Sequence, residues 1–156
     1  PFFLRGADCW GWATWSRGWA LFNPDGRRLL SELTRTGKLK EFDFNGSYDY
    51  SGMLRRQISG ENDSWAVRWY ASAFLENKLT LYPAQSLVRN IGVDGSGVHC
   101  ESSSQFESEL AQVASDLSDV QVLESPVARR AFEAYFQRTR PRFLQRLRQK
   151  MMRLRK

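Results

Sequence analysis

The chain has 156 residues, 42% hydrophobic and 26% charged, with a formal net charge of +6. That length and composition are typical of one globular domain, and no apolar run reaches the roughly 18 residues of a transmembrane helix. Two cysteines are too few for a disulfide framework, and the single histidine, His99, excludes a multi-histidine zinc site.

The positive charge lies at the C-terminus. Residues 138–156 hold nine basic side chains and no acidic one, whereas residues 1–137 hold 14 basic and 17 acidic side chains. We therefore expect no nucleic-acid partner, because such a domain normally spreads basic charge over a folded face. Apolar residues among the arginines predict a basic amphipathic helix over 138–156. It is either a solvated terminal helix or a contact with an anionic membrane surface.

The first predicted helix contains most of the tryptophans. Trp12, Trp15 and Trp19 recur at intervals of three and four, which predicts a helix with these rings on one face, ended by Pro24. Such a face more often packs in a core than binds a ligand. We therefore expect Trp15 and Trp19 to lie mainly in the core.

Two helices and a strand are predicted next. Asp25 is placed to cap a helix over 26–36. The alternation in "KEFDF" (40–44) predicts a short strand, and Ser47 is the predicted cap of a weak helix over 48–58.

The clearest helix is predicted over 62–77, with Asn62 or Asp63 as its cap. Two short strands should follow, "LTLYP" at 79–83 and "SLVRNIG" at 86–92.

The remaining segments predict a loop, a helix, a strand and a last long helix. The glycines of 93–100 indicate a loop, 104–117 has helical spacing, and "VQVL" at 120–123 has the pattern of a strand. Pro126 should open a helix after a Ser125 cap. The order is α/β, helix-rich with a few short strands, as in half of an α/β domain, and we expect a fragment of a longer protein.

Two short stretches carry candidate chemistry. A glycine between Trp10 and Trp12 permits close approach of a ligand or another segment, and indoles stack on the apolar faces of sugars. Glu61 and Asp63 precede a helix, where carboxylates serve either as caps or as a general base; the spacing alone favours the cap.

The predicted glycine-rich loop that ends in His99 has two interpretations, which the sequence favours equally. It is a structural turn, or it is a phosphate-binding loop in which the imidazole contacts a phosphate oxygen or a divalent metal.

Three stretches together resemble one family. "CWGWATWSRGW", "NDSWAVRWYASAFLENKLTLYPAQSLVRNIG" and "GSGVHC" are similar to the C-terminal, acceptor-side part of bacterial GT-A-fold glycosyltransferases, which are distantly similar to inverting N-acetylglucosaminyltransferases. The resemblance covers residues 1 to about 100. We expect residues 1–137 to be the acceptor-side portion and residues 138–156 to be the basic amphipathic helix. It implies the helix-rich half of a nucleotide-diphospho-sugar transferase fold.

The implied activity is transfer of a sugar from a nucleotide-sugar donor to a hydroxyl, with inversion, in polysaccharide or glycoconjugate synthesis. The acceptor would be a glycan or a lipid-linked sugar, and the location cytoplasmic, peripheral to the inner membrane. The nucleotide-binding half, with its Asp-x-Asp metal motif, would lie upstream of Pro1, so this fragment would be inactive alone. The alternative is a non-catalytic protein-interaction or membrane-surface module.

The resemblance also implies roles for particular residues. Asp63 would be the base, with Glu61 and Asp8 as substitutes because Ser64 separates Asp63 from the helix tryptophan. A divalent Mn²⁺ or Mg²⁺ is expected in the complete enzyme, though not necessarily in this fragment. The substrate-binding residues would be Trp10, Gly11, Trp12 and Trp65; the donor diphosphate would lie near Gly97 and His99, with His99 also a candidate metal ligand.

Overall fold

A computed structural model describes residues 1–89 and 109–139 of the chain. The described residues form six helices and two short strands, which confirms a mixed, helix-rich α/β class. The predicted loop at 93–100 and the predicted helix from residue 140 onward lie outside the described residues. In chain order the elements are β1 (Phe2–Leu4), α1 (Ser16–Trp19), α2 (Gly26–Arg35), α3 (Leu39–Phe42), α4 (Tyr50–Ile58), α5 (Trp65–Leu75), β2 (Thr80–Tyr82) and α6 (Pro126–Thr139).

The chain divides into two compact units, each built from two separate segments. Unit 1 comprises Pro1–Asp25 and Ser64–Ser125, and unit 2 comprises Gly26–Asp63 and Pro126–Lys156. Unit 1 therefore contains both strands with α1 and α5, and unit 2 contains the other four helices.

The sheet of unit 1 is a single antiparallel pair. β1 and β2 align Phe2 with Tyr82, whose rings stack at 5.4 Å, and this confirms the strand predicted at 79–83. On the other side of β1, Phe3 makes an isolated bridge to Glu124. The strand predicted at 120–123 is wrong, because only the next residue, Glu124, joins the sheet.

Helix α5 supplies most of the buried surface of unit 1. Val67, Tyr70 and Phe74 are all buried. The helix begins at Trp65, and the Ser64 hydroxyl accepts a hydrogen bond from the backbone N–H of Val67 at 3.4 Å. The expected cap, Asn62 or Asp63, is therefore wrong by one or two residues.

Unit 2 is a small helical core formed by α2, α3 and α4. Leu29, Leu33, Phe42 and Leu54 are almost completely buried in it. The predicted helix at 26–36 is confirmed as α2, and the Pro126 helix as α6.

The strand predicted at 40–44 is wrong. Its first part is the helical turn α3, and Phe44 and Asn45 then adopt left-handed backbone angles, with φ of 48° and 55°. This turn buries both Phe42 and Phe44. Apolar residues two positions apart therefore share the core here although the chain is not extended.

Helix α4 is confirmed, although with a different cap. Asp49 accepts a hydrogen bond from the Gly52 N–H at 3.1 Å, whereas the Ser47 hydroxyl donates to the Phe44 carbonyl at 2.7 Å. Asp43 supplies a second cap, since both of its carboxylate oxygens accept hydrogen bonds from Ser51.

The described part of the helix predicted at 104–117 is not helical. Leu110 instead makes an isolated bridge with Ser86, which is also the only described pairing of the strand predicted at 86–92. Leu110, Val113 and Leu117 are at least half exposed. Among the described residues these side chains therefore form no buried helical face, and a helix of this length gains most of its stability from packing such a face.

Candidate functional site: the tryptophan cluster

Four of the six tryptophans contact one another in unit 1. The ring of Trp12 lies 5.7 Å from that of Trp65 and 5.6 Å from that of Trp69, measured between centroids. Trp19 lies 5.3 Å from Trp69 and 6.1 Å from Trp65. We call Trp12, Trp19, Trp65 and Trp69 the tryptophan cluster.

Two parts of the sequence bring these indoles together. Trp65 and Trp69 are four residues apart on α5 and therefore share one helical face. Trp19 ends α1 and stacks on Phe22 at 4.7 Å, with ring planes only 8° apart. The cluster is thus held by one long helix and by the segment that precedes it by more than forty residues.

One indole of the cluster, that of Trp69, is buried. Two others, those of Trp19 and Trp65, are exposed, and we call them the rim. Trp69 is 7% exposed, whereas Trp19 and Trp65 are 42% and 40% exposed. Two further indoles of the same unit, Trp10 and Trp15, are 54% and 72% exposed. Rings of this size are usually hidden, and a group of exposed ones is typical of a binding surface.

The expectation that Trp15 and Trp19 lie mainly in the core is wrong. Helix α1 begins only at Ser16, and Trp15 has an extended backbone with ψ of 156°. Its ring consequently lies outside the helical face that the spacing predicted. Trp69 takes the buried position, and Trp19 lies at the rim.

A signal for the later helix start was present in the sequence. Ser16 belongs to a residue type that is frequent at helix N-termini, and it is the first residue of α1.

Gly11 is required by packing within the chain. Its φ is +59°, and a Cβ atom there would lie 2.3 Å from Cγ1 of Val88. Both the left-handed backbone and this contact favour glycine. This contact is the close approach of another segment, one of the two alternatives open from sequence.

Asp8 lies in the loop that leads into Trp10. The residue is exposed overall, yet protein around its carboxyl group raises the pKa of Asp8 by desolvation, while a hydrogen bond from Tyr82 opposes the rise. The neighbouring Cys9 is a half-buried free thiol, and burial together with the charge of Asp8 raises its pKa. Asp8 is therefore a partly desolvated carboxylate in the same unit as the cluster.

The other two candidate bases belong to unit 2. Asp63 and Glu61 are both exposed, and the Ser59 hydroxyl donates a hydrogen bond to Glu61 at 2.8 Å. Because Ser64 caps α5, the capping role that the spacing favoured for Asp63 is wrong.

The candidate residues for the donor diphosphate, Gly97 and His99, lie outside the described residues. Within 1–89 and 109–139, no group of three or more His, Cys, Asp and Glu side chains is arranged to hold a metal ion. The divalent cation stays a prediction from the resemblance. None of the helices in these two ranges combines the length and apolarity needed to cross a membrane.

No protein-family model, curated protein or solved structure matches the chain significantly. The features of the chain that bear on function are the exposed indoles, the partly desolvated carboxylate of Asp8 in the same unit and the resemblance of the three sequence stretches. Chemically, the rim offers flat apolar faces with indole N–H donors, and the loop offers one carboxylate.

Proposed function

We propose that the tryptophan cluster binds a sugar, and that the chain is the acceptor-side part of a GT-A-like, nucleotide-sugar-dependent glycosyltransferase. The acceptor is a glycan or a lipid-linked sugar. The observation that carries this proposal is the exposure of four indoles in the unit where that of Trp69 is buried. The four are Trp10, Trp15, Trp19 and Trp65.

The physical support is the match between an indole and a sugar ring. A pyranose has an apolar face of C–H groups and an edge of hydroxyls, so it is bound well by a ring with an apolar face and a polar edge. Trp69 and Phe22 stabilise the rim from within, since Trp19 packs on both. Such support limits the entropy lost when a ligand orders the rim.

The proposed transfer is a single displacement. A carboxylate accepts the proton of the acceptor hydroxyl, whose oxygen forms a bond to the anomeric carbon. The bond from that carbon to the nucleoside diphosphate breaks, and the diphosphate leaves with the electron pair, so the configuration inverts. The resemblance favours Asp63 as the base, while the structure adds an argument for Asp8, because a desolvated carboxylate is a stronger base.

Three variants distinguish the candidate bases in the longest natural polypeptide that contains this sequence. Asp63→Asn, Glu61→Gln and Asp8→Asn are compared by release of nucleoside diphosphate with a saturating acceptor. The variant at the true base should lose about 10²- to 10⁴-fold in turnover. Asp63→Asn should unfold like the wild type, since Ser64 is the cap.

Donor titration on this chain and on the longer polypeptide provides the matching binding test. Donor binding by the longer polypeptide alone would support the enzyme-fragment interpretation. Absence of donor and of oligosaccharide binding in both polypeptides would contradict the proposal.

A second candidate function is a non-catalytic interaction or membrane-surface module. The observation in its favour is the exposure of aliphatic side chains in unit 1, where Val113, Val122 and Leu123 are 81%, 69% and 66% exposed. The basic segment 138–156 adds a sequence argument for an anionic membrane.

Vesicles test this second candidate. Each basic residue near an anionic surface contributes about 1 kcal/mol, so binding to phosphatidylserine vesicles should be salt-sensitive and should disappear when 141–156 are deleted. Equal vesicle binding by the intact and the shortened chains would exclude a membrane role for this segment.

A further inference from the structure

The most exposed tryptophan of the described residues, Trp15, carries an arginine on its ring. The Arg17 guanidinium carbon lies 5.4 Å from the centroid of the Trp15 indole. Trp15 is 72% exposed, so most of its indole stays open to solvent beside the arginine. The pair is a cation–π contact at an open surface.

The backbone beneath this pair is fixed. The Trp15 carbonyl accepts hydrogen bonds from the N–H groups of Gly18 and Trp19, at 2.8 and 2.9 Å. Trp19 in turn belongs to the tryptophan cluster. The exposed ring thus projects from an anchored turn.

The charge of Arg17 is not paired with a carboxylate in the part of the chain that the structure describes. Among residues 1–89 and 109–139, no carboxylate forms an ion pair with Arg17, whereas Arg5 pairs with Glu124 and Arg129 with Glu133. An exposed arginine that keeps its five N–H donors beside an open indole can bind a planar anion in the bidentate manner typical of carboxylates.

We infer that Trp15 and Arg17 form a subsite for an acidic sugar, in which the open part of the indole stacks on the sugar ring and the adjacent guanidinium binds its carboxylate. The ligand class is a hexuronate residue of an oligosaccharide. This inference rests on the proposed sugar-binding function and adds its charge preference.

The test is titration calorimetry of the full chain with two matched trisaccharides. One is trigalacturonate, and the other is its carboxyl-reduced counterpart with the same length and linkage. Wild type should bind the acidic sugar about tenfold or more tightly, in line with a hydrogen-bonded ion pair. Arg17→Gln should remove this preference, and Arg17→Lys should retain part of it.

Two controls keep the outcomes distinct. Arg27→Gln alters an exposed arginine of unit 2 and should leave both affinities unchanged. Trp15→Ala should weaken binding of both trisaccharides, because stacking does not depend on the carboxylate.

Equal affinity for the acidic and the neutral sugar would overturn the subsite and leave the proposed function standing. Binding of neither trisaccharide would also overturn the subsite, whereas sugar binding itself fails only if the donor and other oligosaccharides do not bind either. Preference for UDP-glucose over trigalacturonate, lost in Arg17→Gln, would assign Arg17 to a phosphate and also overturn the inference.

Discussion

The two units each contain an aromatic cluster and a cation–π pair of an arginine with an aromatic ring, and the two pairs differ in burial. In unit 2, Phe44, Tyr50, Phe132 and Phe136 form what we call the phenyl cluster, in which Phe44 is 2% exposed. The guanidinium carbon of Arg129 lies 4.1 Å from the Phe44 ring centroid. In unit 1, the corresponding cation–π pair, Trp15 and Arg17, lies at the exposed surface.

The hydrogen bonds of the two arginines explain the difference. Arg129 forms an ion pair with Glu133 at 3.1 Å and donates to the Glu41 carbonyl at 2.5 Å. Arg17 has neither kind of contact among the described residues. A buried arginine that is paired with a carboxylate beneath aromatic rings stabilises a fold, whereas an exposed arginine without such a pair is available to a ligand. Whether an arginine is paired and buried, rather than its residue type, therefore distinguishes a structural role from a ligand-binding one.

The largest expected effect is at Trp69, the buried member of the tryptophan cluster. Trp69→Ala should lower the free energy of unfolding by about 3–5 kcal/mol, because it removes a buried indole that contacts Trp12 and Trp19. Urea denaturation measures the loss. Trp15→Ala is the control and should change stability little; equal losses in both variants would show that Trp15 is a core residue.

The two arginines give the next contrast. Arg129→Ala removes a cation–π contact, an ion pair and a hydrogen bond, while Glu133 keeps its bond from Asn45. We expect a loss of about 1–3 kcal/mol. Arg17→Ala should leave stability nearly unchanged. If Arg17→Ala destabilises the chain as much as Arg129→Ala, the proposed distinction between the two arginines fails.

A smaller effect on stability distinguishes Ser64, which caps α5, from Asp63, the candidate catalytic base. Ser64→Ala should cost about 1 kcal/mol, because the N–H of Val67 loses its acceptor at the start of α5. Asp63→Ala should cost almost nothing, since Asp63 does not cap this helix. Thermal unfolding of the two variants at equal ionic strength checks this, and the reverse order would restore the capping role of Asp63.

The smallest effect concerns the pH dependence of Asp8. Its pKa in the folded chain is raised above 3.8, the ordinary value, so its contribution to stability is complete below that value and is lost as pH rises through the folded pKa. Asp8→Asn keeps an acceptor for Tyr82 and cannot ionise. The variant should therefore become more stable relative to wild type as pH rises from about 4. A pH-independent difference in the free energy of unfolding would show that Asp8 is not desolvated.

Local patterns in the sequence predicted the isolated elements well. The helical periods of α2, α4, α5 and α6 and the strand β2 were all visible, because each has its own apolar face or turn signals. The pattern failed where distant contacts decide the conformation, as at the left-handed turn of Phe44 and Asn45.

The site was predicted only in part for the same reason. The tryptophans were recognisable as a group, and Trp12 and Trp65 do lie in contact. Which indoles are buried depends on α1 beginning at Ser16 and on Trp69 packing from a distant helix. Spacing within a dozen residues does not contain that information.

The most direct test of sugar binding follows the indole N–H signals in a ¹H–¹⁵N correlation spectrum, since the six tryptophans give one signal each. Trigalacturonate is titrated into the labelled chain after the signals have been assigned by single Trp→Phe variants. The account predicts saturable shifts for the exposed Trp10, Trp15, Trp19 and Trp65 and little change for buried Trp69. Unchanged signals for all six indoles, at a sugar concentration where the shifts should saturate, would contradict it.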